Sequence, residues 1–378
     1  MQWKVPLSDI DMGDEEIQAV LEVLNSKWLS MGEKTQEFER AVAAFLGVKH
    51  AYAVSNGTTA LHLAYAALGL KPGDEVILPA LTFVATANAA VYTGAVPVFA
   101  DITSLDDLTI NPQDVRRKIT SRTKAIAVMH YGGYACPMQE ILALAEEYHL
   151  AVVEDAAHAP GAMLNGKMLG TIGDVGCFSF FSNKNLVTGE GGMVVTNRDD
   201  LAERIRLMRS HGMTTLTWDR HKGHAYSYDV VSPGFNYRMD EMRAALGVVQ
   251  LGKLKVHNLK RQQIVSDYLA RLADNPGVTI PFVHHPGLSS YHLFPILVDS
   301  QETRMKTVAS LKEQGIQTSM HYPPVHLFSH YRNTYGFEAG LLPLTEEVGN
   351  REITLPLYSG MSEEAVDLVV KALACLKF

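Results

Sequence analysis

Residues 178–192 read FSFFSNKNLVTGEGG, and they place one lysine, Lys184, between an apolar run and a glycine-rich one. An acidic residue, Asp155, stands upstream, in the pair Glu154-Asp155 that follows the apolar residues 151–153. Each of the two side chains therefore follows a segment with the composition of a buried strand. The sequence thus predicts an amine and an acid at the ends of two strands.

From about residue 14 to 200, short apolar runs alternate with helical patterns. This alternation predicts an α/β fold with a mostly parallel sheet that helices cover on both faces. Strands are predicted at 52–55, 75–78, 96–100, 125–130, 151–154, 176–180 and 193–196, and helices at 59–68, 82–92, 137–149 and 199–210. Ligands bind beyond the carboxyl ends of such strands. We therefore expect residues 55–59, 155–158 and 179–184 to be neighbours in space.

The pattern changes after a long predicted helix at 240–272. A strand at 292–298, a helix at 303–314 and a strand at 316–321 indicate a smaller α/β lobe. A chain of 378 residues fits about two domains. We expect a large domain at 1–250, with an N-terminal segment that can pack on the small lobe, and a small domain at 251–378.

Composition excludes several classes of protein. Hydrophobic residues make up 47% and charged residues 20%, as in an ordinary soluble protein, and the net charge of −8 argues against nucleic-acid binding. The three cysteines, Cys136, Cys177 and Cys375, have no metal-ligand spacing, so we expect no metal and a reducing cytoplasm. No signal-peptide pattern and no run of eighteen apolar residues occurs, so we expect no membrane association.

Lys184 and Asp155 are the two groups that an enzyme dependent on pyridoxal phosphate (PLP) needs. A lysine holds this cofactor as a Schiff base, and an acid keeps the pyridine nitrogen protonated so that the ring accepts electrons. Burial would raise the pKa of Asp155, and a cationic pyridinium would lower it. The alternative for Asp155 is an acid that only caps the next turn.

Residues 55–61, SNGTTAL, offer a site for the phosphate of this cofactor. Gly57 permits a tight turn, and Thr58 and Thr59 supply hydroxyl and N–H groups at the positive end of a helix. Ser179 would donate to the same phosphate from a neighbouring strand end. An N-cap turn without a ligand is the alternative.

Two more side chains are candidates for cofactor binding. His158 would hydrogen-bond the cofactor or orient Asp155, unless it is a structural histidine. Phe83 would stack on the cofactor ring, unless it is a plain core aromatic.

Five motifs together resemble the nucleotide-sugar aminotransferases of the DegT/DnrJ/StrS type, over essentially the whole chain. In chain order they are SNGTTAL at 55–61, GDEVI at 73–77, EDAAH at 154–158, residues 178–192 and GFNYRM at 234–239. The resemblance implies a fold-type I PLP enzyme with a mostly parallel seven-stranded sheet, a smaller C-terminal lobe and a homodimer with active sites at the interface. It also implies the roles given above for Lys184, Asp155, Phe83 and the phosphate ligands, and it has Asn236 reach the phosphate site of the other subunit.

The expected reaction is transfer of an amino group from L-glutamate, with L-glutamine left open, to a nucleotide-linked keto-sugar. Segments 130–133 (HYGG) and 321–323 (HYP) look more like the C4-aminating members than the C3-aminating ones. A C3-specific aminotransferase remains an alternative. So does a PLP-dependent nucleotide-sugar dehydratase, although a histidine replaces the lysine in such relatives. A PLP-binding regulator would be expected to lack Lys184 or Asp155, or to carry a DNA-binding domain.

Residues 218–224, WDRHKGH, have two interpretations. One is a solvated loop. The other is a mobile flap in which Arg220 or Lys222 binds the diphosphate, while His321 and His326 of the small lobe face the sugar.

Overall fold

The computed structural model describes residues 3–215, 217–223 and 226–375. The helices are α1 (Asp14–Ser26), α2 (Glu33–Leu46), α3 (Gly57–Ala67), α4 (Ala85–Tyr92), α5 (Pro112–Lys118), α6 (Met138–Tyr148), α7 (Asp199–Met208), α8 (Thr217–His221), α9 (Glu241–Leu272), α10 (Gln301–Glu313), α11 (Ser329–Tyr335), α12 (Pro343–Arg351) and α13 (Glu363–Ala374). The strands are β1 (His50–Val54), β2 (Glu75–Pro79), β3 (Val96–Ala100), β4 (Thr123–Met129), β5 (Ala151–Asp155), β6 (Met163–Leu164), β7 (Lys167–Met168), β8 (Val175–Ser179), β9 (Gly192–Thr196), β10 (Phe294–Leu297) and β11 (Glu352–Leu355).

Seven strands of the described chain form the large sheet, in the order β1-β9-β8-β5-β4-β2-β3. The run from β3 through β2, β4 and β5 to β8 is parallel, and β9 pairs antiparallel with both β8 and β1. The seven predicted strands are therefore confirmed, with ends that differ by one or two residues. Because β4, β5 and β8 are parallel neighbours, their carboxyl ends meet at one edge of the sheet.

Helices cover both faces of this sheet. Successive residues of β2 show it: Leu78 packs in a cluster with Leu61 of α3, whereas Ile77 packs in another with Ile141 of α6. All five residues of β2 are buried, which explains why the strand reads as a continuous apolar run. The predicted α/β architecture is thus confirmed.

The smaller lobe is built on β10 and β11, which pair antiparallel. Their apolar residues form one core with the last turns of α9, with α10 and with α13, and Val5 from the N-terminal segment joins this core. The first half of α9 packs instead against α2, in a cluster that also contains residues of the large sheet. The predicted domain boundary at residue 250 stays a prediction. Residues 1, 2 and 376–378, at the outer ends of the two predicted domains, lie outside the described residues.

Two predicted elements differ from the structure by more than two residues at an end. The strand predicted at 316–321 is reduced to single bridges, from Ile316 to Val5 and from Ser319 to Thr354. Each bridge uses a different neighbour, so no continuous ladder forms. The helix predicted from residue 82 begins at Ala85, which leaves Phe83 on the connection after β2.

Gly247 marks the closest approach of α9 to α2. A Cβ at this position would lie 2.5 Å from Cζ of Phe38, which is fully buried. At Gly252, on the exposed side of the same helix, a Cβ would have no neighbour within 4 Å. The two glycines therefore form a matched pair.

We expect Gly247→Ala to lower the free energy of unfolding by about 1–3 kcal/mol, because overpacking outweighs the gain in helix propensity. Gly252→Ala should raise it by up to ~1 kcal/mol, because only the propensity gain applies there. Equilibrium denaturant unfolding at one protein concentration measures both. A stabilised Gly247→Ala protein would show that Phe38 moves aside without cost.

Candidate active site

The carboxyl ends of β5 and β8 open into a cavity of about 380 Å³. Asp155 is the last residue of β5 and Ser179 the last of β8, and the register of these strands pairs Asp155 with Cys177. Residues from six distant segments line the cavity: Asn56, Gly57, Thr58, Leu61, Phe83, Ala85, Met129, Asp155, Ala157, His158, Cys177, Phe178, Ser179, Phe181, Asn183, Lys184, Glu190, His321 and Tyr322. The three segments expected to be neighbours therefore meet at this edge.

Asp155 is a buried acid with its carboxylate held in a fixed orientation. Its Oδ2 accepts a 2.6 Å hydrogen bond from Thr86 Oγ1, and its Oδ1 accepts one of 3.2 Å from the N–H of Ala157. Thr86 has one hydroxyl proton and gives it to Asp155, so the contact between Thr82 and Thr86 (2.8 Å) is donated by Thr82. Burial raises the pKa of Asp155, while both hydrogen bonds and Lys184 oppose this shift. The carboxylate would therefore gain stability from a cation bound in the cavity.

Lys184 supplies the amine of the cavity. It follows a tight turn in which its N–H donates to the carbonyl of Phe181 at 2.9 Å. Dense packing lowers the pKa of Lys184 from its ordinary 10.5 to about 8, and the charge of Asp155 limits the shift. A substantial fraction of this amine is therefore unprotonated near neutral pH, which is the form that attacks a carbonyl carbon.

The N-terminus of α3 also lines the cavity, and it is suited to binding an anion. The first N–H groups of a helix have no intrahelical acceptor and lie at its positive end. A Cβ at Gly57 would lie 2.8 Å from Cβ of Ser179, so glycine is what allows this helix end to reach the strand. Gly57, Thr58 and Ser179 all line the cavity, and their role as phosphate ligands stays a prediction.

Thr59 differs from the expectation. Its N–H donates to Oδ1 of Asn56 at 2.8 Å, and its hydroxyl donates to the carbonyl of Asn56 at 2.8 Å. Both groups therefore cap α3, and Thr59 does not line the cavity. The N-cap interpretation, which the sequence left open, describes Thr59 better than phosphate binding does.

His158 and Phe83 both line the cavity. Nδ1 of His158 accepts from the N–H of Gly132 at 3.3 Å, so the ring proton lies on Nε2 and is donated to Tyr322 Oη at 2.9 Å. The phenol of Tyr322 is then left to donate its own proton. Burial, together with the charge of Lys184, holds the pKa of His158 well below its usual value, so its ring is neutral. Phe83 leaves 56% of its surface exposed, with its ring 6.0 Å from that of Tyr322, and it can stack on a planar ligand.

Besides Thr59, the predicted site residues Asn236, Arg220 and His326 do not line this cavity. Asn236 is exposed elsewhere on the chain. Arg220 on α8 lies over the Tyr228 ring at 4.6 Å and donates to the carbonyl of Thr215. His224 and residues 216 and 225 lie outside the described residues. The roles of Asn236 and Arg220 stay predictions.

His326 is the third of these residues, and its placement argues against the expected contact with a sugar. It is completely buried, its Nε2 pairs with Oε1 of Glu346 at 3.0 Å, and its ring lies beside Phe99. A buried polar ring needs such a partner, and α12 supplies it. His321, by contrast, lines the cavity.

Sequence reasoning missed Thr86 and Tyr322. Thr82 and Thr86 are spaced so that both hydroxyls fall on one face of the chain after β2, which is a detectable signal. Tyr322 lies inside the HYP segment already singled out. Among the described residues, no three His, Cys, Asp or Glu side chains are grouped so as to hold a metal ion. Within the described residues, every helix is too short or too polar to cross a membrane.

Comparison with known proteins identifies the family of the chain. The model of the DegT/DnrJ/EryC1/StrS aminotransferase family matches residues 10–374. The spore coat polysaccharide biosynthesis protein SpsC of Bacillus subtilis is 43% identical over 377 residues, which cover 98% of this chain and 96% of SpsC.

Solved structures match over nearly the full length as well. PseC of Helicobacter pylori, an aminotransferase involved in the biosynthesis of pseudoaminic acid, is 32% identical with a TM-score of 0.90, and the match covers 99% of this chain and 98% of PseC. Spr1654 of Streptococcus pneumoniae, solved in a PLP-form, is 28% identical with a TM-score of 0.90, covering 99% and 97%. The same protein was also solved in a PMP-form. The chain belongs to the DegT/DnrJ/EryC1/StrS aminotransferase family, whose members are PLP-dependent enzymes of fold type I, and it is an aminotransferase.

Proposed function

We propose that this enzyme uses PLP to transfer an amino group from L-glutamate to a nucleotide-linked keto-sugar, at C4 of the sugar. The observation that carries the proposal is the shared cavity of Lys184 and Asp155, beside the N-terminus of α3. Similarity to PseC and SpsC supports a sugar substrate. The choice of C4 rests on the HYGG and HYP segments, and the donor on the family resemblance.

The cavity fits PLP by the chemistry of its donors. Lys184 would hold the cofactor covalently, and Asp155 would hold the proton of the pyridine nitrogen. Gly57, Thr58 and Ser179 would bind the phosphate. The close contact that a Cβ at Gly57 would make with Ser179 supports this last assignment, because it keeps the helix end within reach of the strand end.

PLP, when bound, acts as an electron sink that stabilises negative charge on the reacting carbon of the substrate. Proton transfer and the orientation of the reacting groups are carried out by side chains of the protein. Lys184, with a pKa near 8, takes a proton from the substrate carbon and returns it to the carbon on the other side of the transferred nitrogen, two bonds away. Asp155 stays ionised because the cation beside it offsets the cost of burial. His158 stays neutral and turns the hydroxyl of Tyr322 toward the substrate as a donor.

Covalent loading of the apoprotein with PLP is expected to speed up as pH rises through about 8, because only the unprotonated amine of Lys184 attacks the aldehyde. Stopped-flow absorbance measures the rate. Lys184→Ala should abolish the covalent band and lower turnover by at least about 10²–10⁴-fold. Lys167→Ala, at the exposed first residue of β7, is the control and should load normally. Loading with no dependence on pH in this range would contradict a lowered pKa.

Substrate identity is tested with a panel of UDP-, dTDP- and GDP-linked keto-sugars. With L-glutamate as donor, one 4-keto-sugar is expected to give a product that carries nitrogen on C4, as read by mass spectrometry and NMR. L-glutamine in place of L-glutamate tests the donor. An amine on C3 would overturn the C4 assignment, and a dehydrated product without nitrogen would favour the dehydratase alternative.

A homodimer with shared active sites is part of the proposal. Asn236 is exposed and does not line the cavity of its own chain, which supports a role in the site of another copy. In this arrangement, mixing Lys184→Ala with Asn236→Ala subunits creates heterodimers with one intact site. At equal mixing, roughly a quarter of the sites should then be intact, because half of the dimers are mixed.

The measured activity of the exchanged mixture should therefore exceed that of either parent variant. Subunit exchange is verified with two affinity tags. If exchange is complete and activity does not rise, Asn236 serves its own chain or no active site.

A further inference from the structure

Glu352 is a buried acid that the mechanism above does not use. It begins β11 in the small lobe and is completely inaccessible to solvent. One carboxylate oxygen, Oε2, accepts the backbone N–H of His321 at 2.9 Å. The other, Oε1, accepts the hydroxyl proton of Thr354. Glu352 and Thr354 are two residues apart on β11 and so face the same side of it, toward His321.

The number of available protons fixes the tautomer of His321. While Glu352 is ionised, the one hydroxyl proton of Thr354 is donated to it, so the oxygen of Thr354 accepts in the 2.8 Å contact with Nδ1 of His321. The imidazole proton therefore lies on Nδ1, and Nε2 keeps its lone pair. In the described part of the chain, Nε2 has no hydrogen-bond partner, and the ring lines the cavity that holds Lys184.

The charges around this chain of hydrogen bonds suit proton transfer. Burial raises the pKa of Glu352 to about 8, and Arg304, the cation that faces it, works in the opposite direction. Tyr131 and Tyr322 also face Glu352; burial raises the pKa of both phenols, and the charge of Glu352 adds to this shift. Burial and the charge of Lys184 lower the pKa of His321 to about 4, so this ring is neutral at physiological pH.

A proton that binds to Glu352 exchanges donor and acceptor in both side-chain hydrogen bonds, the one between Thr354 and Glu352 and the one between His321 and Thr354. Oε2 is occupied by the N–H of His321, so the proton sits on Oε1 and is donated to Thr354. Thr354 must then donate to Nδ1 of His321, and the ring proton moves to Nε2. Protonation of Glu352 is thus coupled to the presence of the ring proton on Nε2 of His321.

We propose that His321, Thr354 and Glu352 form a proton relay, which gives the active site a second proton acceptor besides Lys184. Its task, which rests on the proposed function, is to take a proton from the ammonium group of the incoming amino donor. An N–H bond of the ammonium breaks, and its electron pair stays on nitrogen. The proton binds to Nε2, the proton of Nδ1 passes to Thr354, and that of Thr354 passes to Glu352. The donor becomes a neutral amine, His321 stays neutral, and Glu352 becomes a carboxylic acid.

In this relay His321 is the group that touches the substrate, and Thr354 and Glu352 are positioning residues. Tyr131 helps to hold the segment, because its hydroxyl donates to the carbonyl of His321.

The first test reads the tautomer of His321 in the apoprotein, by NMR with nitrogen-15-labelled histidine and a His321→Gln variant for assignment. Above about pH 8, the proton is expected on Nδ1, and as pH falls through this value the Nε2–H form should grow. Glu352→Gln should hold the Nε2–H form at every pH. Its amide oxygen keeps the N–H of His321, so its NH₂ group donates to Thr354. A Glu352→Gln protein that folds and keeps the proton on Nδ1 overturns the relay.

The wild-type titration needs no variant, so it decides the question even if Glu352→Gln does not fold. A tautomer that does not change with pH overturns the proposal. The NMR measurement uses no cofactor and no sugar, so its outcome is separate from that of the proposed function. If the substrate panel fails while the tautomer switches, the proposed sugar substrate fails and the hydrogen-bonded switch stands.

The second test follows the amino-donor half-reaction by cofactor absorbance. Thr354→Val should slow this step by about 10²-fold and shift its pH profile, while covalent loading through Lys184 stays normal. Thr354→Ser keeps a hydroxyl and should restore most of the rate. Equal rates in Thr354→Val and Thr354→Ser, with unchanged pH profiles, would exclude a role for the relay in the reaction.

Discussion

Asp155 and Lys184 share one cavity, and packing shifts the pKa of each toward its neutral form. Neither group is stable there as an isolated charge, so each depends on the other and on what binds between them. The fixed orientation of Asp155 through Thr86 serves this pair. So does the placement of α3, whose positive end faces the same space. The reactivity of the lysine and the charge of the acid are thus two results of one constraint, the exclusion of water at the sheet edge.

The large sheet could be predicted from the sequence because its strands are buried on both faces. Runs such as 75–79 contain almost no polar residue, and the acid or serine that follows them marks the strand end. The meeting of residues 57, 155, 179 and 184 then follows from the rule that parallel strands end at the same edge. Helix α9 was equally visible, and Asp240 accepts from the N–H of Arg243 and so marks its start. In both cases the signal is local and repeats along the chain.

The remaining features depend on contacts between distant segments. Thr59 has the residue type of a phosphate ligand, but a neighbouring asparagine uses both of its polar groups. His326 belongs to a histidine-rich part of the small lobe, yet the partner that fixes it, Glu346, cannot be identified from spacing. Glu352 shows no signal at all, because a single acid at the start of a short strand usually lies at the surface. Only the folded chain reveals that its carboxylate lies against the backbone of His321.

The cavity wall formed by His321 and Tyr322 has a consequence for the order in which the protein matures. The ribosome makes residues 57–184 well before residues 321–322, and domains fold in that order during synthesis. Until the small lobe arrives, the amine of Lys184 is more hydrated and its pKa is closer to that of an ordinary lysine. A nascent chain therefore carries the lysine without its reactivity. The cavity around Lys184 is therefore complete only when the last third of the chain has folded.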